Sequence, residues 1–269
     1  SPVGYVTLGR VLSAARGVKL KAITEDSFRT VAATDEEADV AYIFNQYHLI
    51  SCPVVDGSGR LVGVITIDDA MTVLDEEHEE DMLRMAGVGG ESSIQDGVIE
   101  TIKGRIPWLF INLITANVSA LVIGQFAGTI GQIVVLAALM PIIASMGGIA
   151  GTQSLTIAVR ALATRDLTVS NAMRVVRREA AVGAINGLSF AAIMGLAGWL
   201  VLGVPMLGVV LAMAMMINLC VAALAGILVP LAMDRLGFDP ALASGTFVMT
   251  VTDVVGFFVF LGLATVMLL

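Results

Sequence analysis

Acidic residues are scarce beyond residue 100 of this 269-residue chain: of its 23, only Asp166, Glu179, Asp234, Asp239 and Asp253 lie there. Histidine is scarcer still, and both copies, His48 and His78, lie in the first half. That excludes intramembrane zinc proteases, which need paired histidines, and serine types that need a histidine base. With no catalytic constellation in the apolar half, an enzyme is not expected; transport or sensing remains. The two cysteines, Cys52 and Cys220, fall one in each half, so neither an intrachain disulfide nor a cysteine metal site is expected. Basic residues are also few, 15 against the 23 acids, and the formal charge of −8 argues for cations and against nucleic acid as partners.

What is present is apolar. Hydrophobic residues make up 57%, charged residues 14%, and mean hydropathy is +0.89, too apolar for an ordinary soluble domain. The acids concentrate before residue 100, which reads as a soluble part followed by a membrane part. Five apolar segments can be drawn, at 107–126, 132–163, 180–202, 207–233 and 241–269. Their connections alternate in charge. Lys103 and Arg105 precede the first segment, Arg165, Arg174, Arg177 and Arg178 separate the second and third, and Arg235 separates the fourth and fifth. The two other connections carry no charge. Excess positive charge stays cytoplasmic, so the soluble part is expected in the cytosol and the C-terminus outside the plasma membrane.

The second segment is expected to depart from a plain helix. It holds Met140-Pro141 and then Met146-Gly147-Gly148-Ile149-Ala150-Gly151-Thr152-Gln153. Proline removes a backbone hydrogen bond, and Gly147, Gly148 and Gly151 allow unwinding or close helix contact. Irregular backbone at membrane depth must be buried or line a watery cavity. Pore lining and tight packing are both open, and both can hold at once.

Asp253 is the only ionisable residue from Ala241 to the end of the chain. A carboxylate at that depth costs about 2.5–3.5 kcal/mol on insertion scales, so its retention points to a use. Thr246, Thr250 and Asp253 follow at intervals of four and three, which places them on one helix face. A hydroxyl stripe ending in a carboxylate suits a cation path; the alternative is a carboxylate that hydrogen-bonds neighbouring helices and only holds the bundle together. Read as one helix, Asp239 would lie roughly 21 Å from Asp253, near the cytoplasmic mouth.

The soluble part reads as mixed α/β. Thr34 is placed to cap a helix beginning Asp35-Glu36-Glu37, whose acids suit the positive helix end. Strands are predicted at 51–55 and 60–65, joined by the turn Asp56-Gly57-Ser58-Gly59, with a second helix from Asp68-Asp69-Ala70. Between this part and the membrane lies the run Asp75-Glu76-Glu77-His78-Glu79-Glu80-Asp81, which by itself reads as a solvated helix face.

The stretch Tyr47-His48-Leu49-Ile50-Ser51-Cys52-Pro53-Val54-Val55-Asp56, with Gly59-Arg60-Leu61-Val62-Gly63-Val64-Ile65-Thr66-Ile67-Asp68-Asp69, resembles a CBS (cystathionine-β-synthase-type) regulatory module. Gly4-Tyr5-Val6-Thr7-Leu8-Gly9-Arg10 is similar to the tail of a preceding module, so the sequence is expected to begin inside one. In such modules a threonine and the aspartate three residues on can hold a nucleotide ribose. The resemblance implies ATP at Thr66 and Asp69, while Thr7 followed by Arg10 departs from that pattern; a plain helix cap by Thr66 or Asp68 remains the other reading.

A CBS module followed by five spans resembles the C-terminal part of the MgtE family of magnesium channels. Further matching stretches are 146–153 with Val159-Arg160-Ala161-Leu162-Ala163, and Asp239-Pro240-Ala241-Leu242-Ala243-Ser244 ahead of Asp253. The resemblance implies a five-span α-helical membrane protein with an N-terminal α/β CBS-type cytosolic domain. Its parts would be a module remnant at 1–24, a CBS module at 25–82, a linker at 83–106 with a gating helix at about 97–105, and a pore domain at 107–269. It also implies a homodimer with a pore on its axis between the second and fifth spans, and Mg²⁺ as both cargo and regulator. Asp253 matches the selectivity carboxylate, with Thr246, Thr250, Asp239 and the three glycines along the pore. Asp75, Glu76, Glu77, Glu79, Glu80 and Asp81 become Mg²⁺ sensors that shut the linker when cytosolic Mg²⁺ is high. The family often has asparagine where this chain has Ile149 and Thr152, and near Gly245, which leaves room for a broader carrier of divalent cations such as Mn²⁺ and Co²⁺. A CBS-bearing membrane sensor without transport is the remaining alternative. Mg²⁺ dehydrates reluctantly and is held by a few carboxylates while keeping its waters, and a two-fold axis would double the single Asp253.

Overall fold

A computed structural model describes residues 2–25, 28–90, 92–168, 170–242 and 244–269. The chain divides into two compact units, Ser1–Glu80 and Asp81–Leu269, one α/β and one helical.

In the first unit Thr7 caps the short helix α1, Leu8–Ser13, by accepting from the Arg10 N–H. Strand β1, Val31–Ala32, lies parallel to β2, Ser51–Val55, which pairs antiparallel with β3, Leu61–Thr66. The β2–β3 turn is held by Asp56, whose Oδ1 accepts from the Ser58 N–H and hydroxyl and from the Arg60 N–H. Gly59 supplies the left-handed residue there, at φ 75°. Helix α2, Glu37–Tyr47, packs Val40 and Phe44 on Val31, Cys52 and Ala70.

Thr34 does not cap α2. The helix starts two residues later, after Glu36, and the Asp35 carboxylate instead accepts from the Ala32 N–H at 2.8 Å. A short-range side-chain bond has taken the residue out of the helix, as Asp side chains do where turn and helix compete. Helix α3, Ile67–Met85, is longer than a second module helix and carries the whole acidic run.

Five helices are long and apolar enough to cross a membrane: α4 (Val98–Gln125), α6 (Val135–Ala163), α7 (Ala172–Leu202), α8 (Pro205–Arg235) and α9 (Ser244–Leu268). They match the five predicted segments. The fold class is thus a five-helix membrane protein with a small α/β part. The linker helix is not separate, since α4 begins at Val98 and runs on through Pro107 into the first span. A further short helix, α5 (Ala127–Gln132), sits between α4 and α6.

Helix α8 is the centre of the second unit, with α6, α7 and α9 packed around it. The α7–α8 contact is made by small residues: a Cβ on Gly208 would lie 2.5 Å from the Gly195 carbonyl oxygen. Such close backbone approach lets helices associate by dispersion where lipid removes the hydrophobic drive. The main core joins Leu136, Ile143, Leu211, Met215 and Phe260 from α6, α8 and α9.

The expectation that α6 departs from a regular helix is not met, because the proline and glycines lie inside one continuous 29-residue helix. The glycines serve contact instead of unwinding. A Cβ on Gly147 would lie 2.3 Å from Asn218 Nδ2, and one on Gly151 would lie 2.6 Å from Val248 Cγ1. Gly147 and Gly151 are buried within the chain, whereas at Gly148 a Cβ would meet nothing within 4 Å, so the three glycines expected along the pore have different surroundings.

Candidate ion pathway

Helix α9 packs on α6, α8 and α4 and carries Asp253 near its middle. Apolar residues drive the buried face: Val248, Phe260, Leu261 and Ala264 are fully enclosed. Thr246, Thr250 and Asp253 lie on half-buried positions of the helix, over roughly 10 Å at 1.5 Å per residue. The Thr250 hydroxyl donates to the Thr246 carbonyl at 2.7 Å, so its oxygen can offer only acceptor lone pairs outward. Among the described residues Asp253 makes no hydrogen bond and no ion pair. The alternative of a carboxylate tying helices together needs a donor, and no described side chain of this protomer bonds it.

A cleft of about 230 Å³ opens at the N-terminal end of α9. Arg84, Trp108, Asn112, Thr152, Thr156 and Thr246 are among its lining residues. Thr152 and Thr156 donate to the carbonyls of Gly148 and Thr152, at 2.8 and 2.9 Å, and like Thr250 turn acceptor oxygens outward. Thr152, where the resemblance expects asparagine, and Gly245, near which it expects another, both line this cleft.

Asp239 lies before α9, in the connection from α8, and so does not extend the helical stripe. Its Oδ2 accepts from Arg84 Nη1 at 2.7 Å and its Oδ1 from the Ala241 N–H at 2.8 Å. The expected helical separation of Asp239 and Asp253 is therefore corrected: α9 starts only at Ser244. Ala243, within the same stretch, lies outside the described residues.

In the first unit Thr66 and Asp69 meet as spacing suggested. Asp69 Oδ2 accepts from the Thr66 hydroxyl at 2.6 Å and from its N–H at 2.9 Å, at the start of α3. The hydroxyl bond first, and the N–H bond with it, hold the Asp69 carboxyl below the usual carboxylate range. This geometry is a helix-start bond that engages Oδ2 of Asp69 and the hydroxyl proton of Thr66.

Asp75, Glu76, Glu77 and Glu79 project from exposed positions of α3, while Glu80 and Asp81 are half-buried. Successive residues on a helix point about 100° apart, so seven in a row cannot converge. Among the described residues no three of His, Cys, Asp and Glu gather as a metal cage.

Two polar contacts in the membrane unit escaped sequence reasoning. Glu179 of α7 is 8% exposed and accepts from the Ser154 hydroxyl of α6 at 3.0 Å. Asn218 of α8 is fully buried and donates to the Ile143 carbonyl at 2.9 Å. A polar residue inside an apolar run was the available signal for Asn218, whereas Glu179 follows Arg177 and Arg178 and reads as part of a charged connection.

Comparison with known proteins bears on this arrangement. A family model described as MgtE, divalent cation transporter, matches residues 140–263, and a CBS domain model matches residues 20–76. The magnesium transporter MgtE of Enterococcus faecalis is 33% identical over 267 residues, covering 98% of this chain and 58% of that protein. The magnesium transporter MgtE of Thermus thermophilus is 34% identical over 238 residues, and that of Bacillus subtilis 28% over 233, each covering 87% of this chain and 52% of the relative. The chain spans about half the length of the curated relatives it matches. Five apolar helices joined to a CBS domain, with these matches, define a multi-pass membrane protein that carries a CBS domain. The chain belongs to the MgtE family, of which it carries CBS and membrane portions.

Proposed function

We propose that the protein is a homodimeric channel that carries Mg²⁺ across the plasma membrane. Asp253 is its selectivity carboxylate, and the pore runs on the dimer axis between α6 and α9. The observation that carries this reading is Asp253 itself, a half-buried carboxylate in a membrane helix with no bond to any described residue of its own protomer. An ionised group at that depth needs a counter-charge or water. A facing Asp253 from a second copy and a hydrated cation between them supply both. Mg²⁺ suits such a site because it keeps its waters, which then hydrogen-bond carboxylates and hydroxyl acceptors. Thr246, Thr250, Thr152 and Thr156 offer that kind of acceptor on the way in. The N-terminal part is cytosolic and the C-terminus outside, as the charged connections favour.

Regulation belongs to the same reading. The carboxylates of Asp75, Glu76, Glu77, Glu79, Glu80 and Asp81 repel one another, and Mg²⁺ bridging between the two copies or to the linker would relieve that repulsion and hold the linker closed. ATP at the CBS module would be held through Asp69 Oδ1 and the Thr66 oxygen, since Oδ2 already accepts from Thr66.

The decisive experiment is Mg²⁺ flux into liposomes by Asp253→Asn, which keeps shape and removes two charges per dimeric pore. Loss of most flux is expected; flux at the parental rate would make Asp253 a packing residue. One observation favours a second reading, transport of a broader range of divalent ions. Thr152 gives the cleft a hydroxyl where the resemblance expects asparagine, beside the amide that Asn112 supplies there, and comparable Mn²⁺ or Co²⁺ flux in the same liposomes would establish it.

A further inference from the structure

Between Pro205 and Met233 Asn218 is the one residue with an amide, hydroxyl or charge, and it has no exposed surface. Its Nδ2 donates to the Ile143 carbonyl of α6, but its Oδ1 is buried and accepts no hydrogen bond among the described residues. Half-satisfied amides are costly in a dry core. Leucine has nearly the same branched shape and carries no polar atoms, so packing alone would favour leucine here. Stability therefore does not explain the asparagine.

The contacts of the amide explain it better. Gly147 of α6 and Gly256 of α9 clasp it from two sides: added Cβ atoms would lie 2.3 and 2.9 Å from Nδ2. Gly256 stands three residues beyond Asp253, one turn further along α9. The Asn218 amide thus touches both α6 and α9 beside the turn that carries the carboxylate.

We propose that Asn218 is a positioning residue for ion transport: bonded to Ile143 and seated against Gly147 and Gly256, it fixes the spacing and rotation of α9 on α6 and so aims Asp253. This rests on the reading of Asp253 as the pathway carboxylate. The carbonyl bond gives the contact a direction that a leucine could not, and the two glycines leave the amide one seat.

The test uses purified protein in liposomes, with Mg²⁺ flux measured against Mg²⁺ concentration, the Mg²⁺/Co²⁺ flux ratio, and the melting temperature of each variant. Asn218→Leu should keep or raise the melting temperature while raising half-saturating Mg²⁺ about tenfold, the lower end of what groups orienting metal ligands are worth. Gly256→Ala should act in the same direction, because its methyl collides with the amide. Asn218→Ala, which removes the amide and leaves Gly147 and Gly256 without their neighbour, should also raise half-saturation, and adding it to Gly256→Ala should not restore the parental value. Parental half-saturation and flux ratio in Asn218→Leu would overturn the proposal. Should that variant fail to assemble, Asn218→Ala decides: parental half-saturation and flux ratio in it overturn the proposal. The outcome is separable from that of Asp253→Asn: a dead Asp253→Asn beside a parental Asn218→Leu removes only Asn218 from the pathway.

Discussion

Arg84 Nη1 lies 2.7 Å from Asp239 Oδ2, joining the last turn of α3 to the connection that precedes α9, across 155 residues of sequence. Both side chains are 31% exposed, so solvent screens the pair and its net contribution is at most about 1 kcal/mol. Its position matters more than its energy. Arg84 lines the cleft together with Thr246, and that cleft is the entry under the proposed function.

Arg84→Gln should therefore leave the melting temperature nearly unchanged and raise Mg²⁺ flux about two- to fivefold, as a repelling charge leaves the mouth. Liposome flux at fixed protein density reads the effect. Parental flux would show that the pair only fastens the connection.

Asp253→Ala should abolish Mg²⁺ flux while the protein still assembles as a dimer by light scattering in detergent. Thr250→Val should lower flux only about threefold, because a hydroxyl supplies a dipole worth about 1 kcal/mol or less and no net charge. A larger loss in Thr250→Val than in Asp253→Ala would reverse the roles assigned to them.

Gly151→Ala and Gly148→Ala separate packing from free surface. The first adds a methyl 2.6 Å from Val248 and should destabilise by about 1–3 kcal/mol. The second meets nothing and should be neutral or stabilising by up to about 1 kcal/mol, because alanine is the better helix former. Thermal melts of the two variants side by side give the answer.

Acid should unmask the Thr66–Asp69 bond. The folded-state pKa of Asp69 is lowered, so its contribution is present above the ordinary carboxylate range and is lost as pH falls through the depressed value. Thr66→Val should lower the melting temperature of the CBS region at neutral pH, and the gap from the parent should close in strong acid. Calorimetric titration with ATP, run on the same variant, shows whether the pair also holds nucleotide: an unchanged heat leaves it a helix start.

If α3 senses Mg²⁺, changing Glu76, Glu77, Glu79 and Glu80 together to glutamine should shift closure to higher cytosolic Mg²⁺ in patch recordings. The charge density that Mg²⁺ would relieve is then gone. Unaltered closure would place the sensor elsewhere.

The sequence by itself determined the number of spans, the α/β character of the first part and the position of Asp253 on a hydroxyl stripe. Each of these is a local property: hydropathy over about 20 residues, a two-residue or 3.6-residue period, or one charge in an apolar run. Tertiary structure decided the rest. The glycines of α6 read equally as hinge or contact until Asn218 and Val248 arrived from other helices to fill the space beside Gly147 and Gly151. Thr34 had the right chemistry for a cap, but Asp35 found the Ala32 N–H first and moved the helix start. Asp239 was legible as an acid near the mouth, whereas its partner Arg84 was not, because pairing across 155 residues leaves no trace in local pattern. Asn218 shows the division most plainly: its polarity stood in the sequence, and only the packing of three helices on one amide gave that polarity a consequence.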